Sequence, residues 1–182
     1  MQHSVCVYCG SRPGDDEAFT QDAETLGRGL AEAGLRLVYG AGDVGLMGSV
    51  ARVAQTAGGD TFGVIPAHLV AWEVGKTDLT RYIVTETMHE RKKVMFMNCD
   101  AVAVLPGGAG SLDELFEVLT WRQLGLHEKP IFLVNTNGYW EPFMSLMNHV
   151  VTHGFADATL LDYVTVVPDA EAALSALRRA LS

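Results

Sequence analysis

The chain has 182 residues, 48% of them apolar, and a net charge of −9 at neutral pH. That length suits one core and hence one domain over residues 1–182, and an acidic chain with no basic stripe argues against nucleic acid or an anionic membrane surface as partner. No run approaches the roughly 20 apolar residues of a membrane span, Met1 to Gly10 lacks a basic leader and cleavage site, and three cysteines make no disulfide framework, so the expected location is cytoplasmic.

Ser4 to Tyr8 reads as an apolar strand that runs into Cys9-Gly10-Ser11-Arg12-Pro13-Gly14, and Glu17 to Ala33 as an amphipathic helix stopped by Gly34. Arg36 to Tyr39 is a second strand. It opens into a glycine-rich stretch, Gly40 to Gly48, followed by a helix over Ser49 to Ala57 that Gly58-Gly59 ends. A third strand, Thr61 to Ile65, stops at Pro66. Residues 67–80, with Trp72, Gly75 and Lys76, have no clear period and read as a loop with one turn of helix, suited to cover a site. Arg81 to Thr85 is a short strand, and Thr87-Met88-His89-Glu90 is a capping box opening a helix to Cys99. Ala101 to Leu105 is a buried strand; after Pro106-Gly107-Gly108-Ala109-Gly110, apolar residues recur at helical spacing from Leu112 to Leu124. Strand Ile131 to Val134, a turn at Asn137-Gly138, a helix from about Trp140 to His153, strand Tyr163 to Val167 and a helix from Ala170 to Leu181 complete the chain.

Strands alternating with helices predict an α/β fold, a parallel sheet with helices on both faces. Ligands of such sheets bind outside the carboxyl ends of the strands. Gly10-Ser11-Arg12, Gly40 to Gly48, Arg91-Lys92 and Pro106 to Glu114 all fall there, along one rim. The last is the most informative. Its glycines let backbone approach a ligand, and the unpaired N–H groups and dipole of the helix start attract an anion such as phosphate. Without the Lys-Ser/Thr of a Walker A loop, it suits a monophosphate better than a triphosphate. Ser111-Leu112-Asp113-Glu114 fits a capping box, in which Ser111 and Glu114 only satisfy helix-terminal donors. A second reading competes: a carboxylate beside a bound anion repels it unless it has its own task.

Arg91 and Lys92 oppose the dipole of their helix, which an anion close by would offset; solvated surface charge is the alternative, more so for Lys92. Cys6-Val7-Tyr8-Cys9 is not a redox pair, because residues three apart on a strand face opposite ways; Cys6 and Cys99 read as core, with Cys9 nearest the site. His149 and His153 lack a third ligand nearby, so a surface or interface pair is expected and no metal site.

Pro106-Gly107-Gly108-Ala109-Gly110-Ser111-Leu112-Asp113-Glu114 is close to the pattern P-G-G-x-G-T-x-x-E, and Met88-His89-Glu90-Arg91-Lys92 matches M-H-x-R-K. With Cys9-Gly10-Ser11, Tyr39-Gly40-Ala41-Gly42, Gly45-Leu46-Met47-Gly48, Thr120-Trp121, Gln123-Leu124-Gly125 and Asn137-Gly138-Tyr139, the chain resembles the "lonely guy" cytokinin-activating phosphoribohydrolases from about residue 5 to 140. The resemblance implies a Rossmann-like doubly wound fold, a homodimer without cofactor, and hydrolysis of the N-glycosidic bond of N6-modified adenosine monophosphates, with AMP as a possible further substrate. It implies Arg91 and Glu114 as catalytic. Lys92, the loop residues Gly107, Gly108, Gly110 and Ser111, and Thr120 are implied in substrate binding, and Gly10, Ser11, Gly40, Gly42 and Met88 join them from the rim. The chain departs from the pattern where Ser111 replaces threonine and Ala41 replaces the middle glycine of Y-G-G-G. Thr120 lies six residues beyond Glu114, nearly two turns, so it is expected to meet the nucleotide of the partner chain.

The chemistry accords with this. Cleavage of a ribosyl C–N bond passes through an oxocarbenium-like species that a carboxylate can stabilise, while a remote 5′-phosphate supplies binding energy. Two other readings compete. Gly40-Ala41-Gly42-Asp43-Val44-Gly45 with Asp60 resembles a dinucleotide fingerprint, but it follows the second strand and Asp60 starts its own. A nucleotide or cofactor carrier would use the same cradle without turnover. Related sequences also carry the label lysine decarboxylase, yet no pyridoxal-site pattern surrounds Lys76, Lys93 or Lys129.

Overall fold

The computed structural model describes residues 2–70 and 78–182. Strands β1 (Ser4–Tyr8), β2 (Arg36–Tyr39), β3 (Thr61–Pro66), β4 (Arg81–Thr85), β5 (Ala101–Val104), β6 (Ile131–Val134) and β7 (Thr165–Val167) form one parallel sheet in the order β4-β3-β2-β1-β5-β6-β7. Helices α1 (Glu17–Glu32), α2 (Gly45–Thr56), α3 (Ala67–Val70), α4 (Met88–Met97), α5 (Ala109–Gln123), α6 (Glu141–Thr152) and α7 (Ala170–Ala180) accompany it. This is the parallel sheet expected from the alternation, in the doubly wound, Rossmann-like form that the resemblance implies.

The period of two along β1 builds both cores. Val5, Val7 and Cys9 face a layer with Leu26 and Leu30 of α1, Val50 of α2 and Leu177 of α7. Cys6 and Tyr8 face the other, with Met95 of α4, Leu115 and Leu119 of α5, and Phe143 and Met147 of α6. Each fully buried leucine contributes roughly 1.5–3 kcal/mol. Helices α1 and α2 approach so closely that a Cβ on Gly27 would strike the Val50 carbonyl.

Boundaries differ from the sequence reading at the start of α5, which begins at Ala109, and at three further places, each for a local reason. Helix α2 starts at Gly45 rather than Ser49, because Gly45 to Gly48 form its first turn. Strand β3 continues through Pro66, which sits opposite Thr85 at the strand end. Residues Ala158–Tyr163 wind into a 3-10 helix, leaving β7 with three residues. Of the loop expected over 67–80, Ala67–Val70 is helical and residues 71–77 lie outside the described residues.

The strand order reverses between β1 and β5. The two are clasped where they end: Leu105 N–H donates to the Tyr8 carbonyl at 2.9 Å, and Gly10 N–H to the Pro106 carbonyl at 3.0 Å. A crevice at such a switch point is where this fold binds ligands.

Candidate active site

A cleft of about 530 Å³ opens at that crevice, within the range of small-molecule sites. The loop after β1 and the loop after β5 form its floor. Leu46 and Met47 of α2, Leu69 of α3, Met88 and Arg91 of α4, Glu114 of α5 and Tyr139 form its sides. Gly10, Ser11, Met88, Arg91, Gly107, Gly108, Gly110, Ser111 and Glu114 therefore come together from three separate segments.

The start of α5 bears on the capping reading of Glu114. The helix begins at Ala109 with Gly108 as its N-cap, and no side chain caps it. Ser111 is thus the third helical residue, not the cap, and the expected capping box does not form. Helix α4 shows what such a box looks like: Glu90 N–H donates to Thr87 Oγ1 and Thr87 N–H to Glu90 Oε2, both at 3.2 Å. Glu114, a turn into its helix, borders the cleft instead. The first-turn N–H groups of α5 have no acceptor within the helix, as at any helix start. They offer the cleft a set of oriented donors.

Arg91 is 5% exposed, and its charge is held by main chain. Nε donates to the Val64 carbonyl at 3.1 Å and Nη2 to the Gly40 carbonyl at 2.8 Å, while Nη1 lies 3.8 Å from Met88 Sδ. These contacts fix a cation at the cleft wall. Cys9 is also in the wall, where burial, then the Glu114 charge, raise its thiol pKa against the lowering by Arg91. The net effect favours the neutral thiol over the reactive thiolate.

The remaining candidates lie apart from the cleft lining. Gly40 and Gly42 are buried, and a Cβ on Gly40 would collide with the Arg91 guanidinium. Lys92 reaches from α4 to α5, with Nζ 2.9 Å from Asp113 Oδ2 and 3.3 Å from Glu117 Oε1. Burial draws its pKa down, but the hydrogen bond to Asp113 and the charge of Glu117 outweigh this and raise it. Thr120 is exposed, its hydroxyl donating to the Phe116 carbonyl at 2.8 Å.

Matches to known proteins run through these residues. The family described as "possible lysine decarboxylase" matches residues 47–177. A cytokinin riboside 5′-monophosphate phosphoribohydrolase of Rhodococcoides fascians is 44% identical over 176 residues, covering 96% of this chain and 89% of its own. The chain belongs to this phosphoribohydrolase family. The enzyme named LOG from Oryza sativa subsp. japonica is 44% identical over 151 residues, 83% of this chain and 62% of its own. The Moco carrier protein of Chlamydomonas reinhardtii superposes with a TM-score of 0.75 at 23% identity, over 100% of this chain and 98% of that one, a likeness of fold.

In this phosphoribohydrolase-family chain the described lysines sit away from the cleft. Lys129 Nζ donates to the Phe96 and Cys99 carbonyls at 2.6 and 2.7 Å, Lys92 is ion-paired and Lys93 is exposed; Lys76 lies outside the described residues. The dinucleotide-like glycines form the turn into α2, and Asp60 lies at the opposite end of β3. Among the described residues no group of three His, Cys, Asp or Glu could hold a metal, and no helix is long and apolar enough to cross a membrane. His149 and His153 form an exposed ring pair with centroids 4.0 Å apart.

Sequence reasoning placed Arg12 on the rim without assigning it to the site, and missed Phe19 and Tyr139. Arg12 and Phe19 line the cleft through the loop after β1 and the first turn of α1; Tyr139 enters from the turn after β6. The signal for Tyr139 was its place: Asn137-Gly138 turns the chain at a strand's carboxyl end, on the same rim.

Proposed function

We propose that this chain hydrolyses the N-glycosidic bond of N6-modified adenosine 5′-monophosphates, with AMP as a further substrate, releasing free base and ribose 5-phosphate. The observation that carries this reading is the uncapped start of α5 with the Glu114 carboxylate bordering the same cleft as the fixed Arg91. The 5′-phosphate binds the loop donors and Ser111, and its binding energy orients the ribose. The C1′–N9 bond breaks with its electron pair going to the base. Water then adds to C1′; Glu114 stabilises the developing positive charge and orients that water, whose proton balances the one gained by the base. Arg91 supplies positive charge to an anionic or electron-rich part of the substrate. Leu46, Met47, Leu69 and Met88 offer an apolar wall suited to an N6 alkyl group.

The finer parts of the reading are a homodimer, with Thr120 serving the partner's nucleotide, and a cytoplasmic location. Exposed Phe116 and Leu124, four residues to either side of Thr120 along α5 and its C-cap, support the first. Three free, buried cysteines agree with the second.

Product analysis by chromatography, with isopentenyladenosine monophosphate, AMP and isopentenyladenosine, tests the activity. Free base is expected from the monophosphates. Glu114→Gln is expected to lose on the order of 10²–10⁴ in kcat while remaining folded. Near-normal turnover by that variant would overturn the mechanism, and no base from any substrate would favour a carrier. The assembly mass of the same sample tests the dimer; a single-chain mass would remove it.

A further inference from the structure

Tyr139 has an unusual position for a residue outside the loops that form the cleft floor. Its ring borders the cleft and is 38% exposed, yet its hydroxyl donates to the Gly107 carbonyl at 2.6 Å. The ring is braced from two sides. Phe19 meets it edge-on at 5.5 Å between centroids and Trp140 at 4.9 Å.

The turn that presents it is fixed as well. Asn137 takes a positive φ of 50°, and its side-chain amide donates to Asp16 Oδ2 at 2.7 Å. Asp16 in turn caps α1 by accepting from Ala18 N–H at 2.9 Å. On the other flank Trp140 N–H donates to Asn135 Oδ1 at 2.7 Å. The hydroxyl therefore reaches Gly107 from a rigid mount rather than from a freely turning side chain.

Gly107 is the residue at which the grip matters. Its carbonyl belongs to the peptide that carries the Gly108 N–H, and in a trans peptide the two point in opposite directions. Holding the oxygen on Tyr139 fixes the direction of that N–H at the start of α5. It also satisfies a carbonyl that would otherwise be able to turn toward an anion in the cradle.

We propose that Tyr139 is a positioning residue for the phosphate cradle, through which the site distinguishes a 5′-monophosphate from the phosphate-free riboside. This rests on the phosphoribohydrolase reading above. It adds a determinant to the site from the far side of β5, outside the glycine loop and the helix α4 stretch that carries Arg91.

Tyr139→Phe is the test, since it keeps the ring and its contacts with Phe19 and Trp140 and removes only the hydroxyl. Loss of one hydrogen bond at the cradle is expected to raise KM for the monophosphate roughly three- to tenfold with kcat within about twofold. The Kd for inorganic phosphate, measured by calorimetry, rises by the same factor. The ratio of kcat/KM for monophosphate over riboside falls accordingly, which a general loosening of the fold would not produce. Equal losses for both substrates, an unchanged phosphate affinity, or no phosphate binding by the wild-type chain overturns the proposal. If the wild-type chain binds phosphate but cleaves no nucleotide, the hydrolase reading fails while the calorimetric comparison still decides the role of Tyr139.

Discussion

Residues 40–48 and 106–114 are written in one grammar, a strand running into glycines and then a helix, yet the two stretches use their glycines differently. In the first, the protein's own atoms fill the space. A Cβ would strike the Arg91 guanidinium at Gly40, the Ser11–Arg12 backbone at Gly45, and the Asp43 carbonyl at Gly48. In the second, Gly107 is crowded by Ser111, but a Cβ on Gly108 or Gly110 would meet nothing within 4 Å. Glycines of the first stretch let the protein pack against itself. Those at 108 and 110 are crowded by no neighbour among the described residues, and both line the cleft.

Substitutions should separate the two stretches by what they damage. Gly45→Ala has the largest expected effect, because φ is +58° and the added methyl meets main chain. A loss of about 3 kcal/mol is expected, or roughly 6–12 °C in Tm for a chain of this size, read by thermal unfolding. Gly110→Ala should do the reverse: stability rises by about 0.5 kcal/mol from helix propensity, while KM for the monophosphate rises on the order of tenfold. An unaltered KM would break the distinction. Ala41→Gly has the smallest expected effect. Ala41 is buried at φ +58°, so glycine relieves about 1–2 kcal/mol of backbone cost, but it loses a buried methyl and adds chain entropy. Chemical denaturation should find a change within about 1 kcal/mol of zero.

The sheet and its rim were legible because apolar runs, glycine stops and alternation all agree from Ser4 to Val134. Boundaries failed where glycine is ambiguous. Glycines at 45 and 48 read as loop but are the first turn of α2, because neighbouring chain fits against them. The same ambiguity hid the start of α5: Ala109 and Gly110 are helical, which moves Ser111 from cap to interior and leaves its motif without the capping geometry. That Arg91 and Glu114 border the cleft was legible, because each lies near the start of a helix that follows a strand. Phe19 and Tyr139 were not, since an aromatic one turn into a helix or just after a turn is spelled like any core residue. Lys92 and Thr120 matched motif positions, but the chain directs one into an ion pair with α5 and the other outward.

The contrast between the capped α4 and the uncapped α5 has a consequence for dynamics. Helix α4 closes its first turn with its own Thr87 and Glu90, whereas α5 ends in glycines that bring no side chain to its N–H groups. If phosphate occupies that end, it serves as the cap, and the ligand completes the secondary structure of the enzyme. Amide protons of Gly110 and Ser111 would then exchange with solvent more slowly in the complex, and folding and substrate recognition would draw on the same few hydrogen bonds.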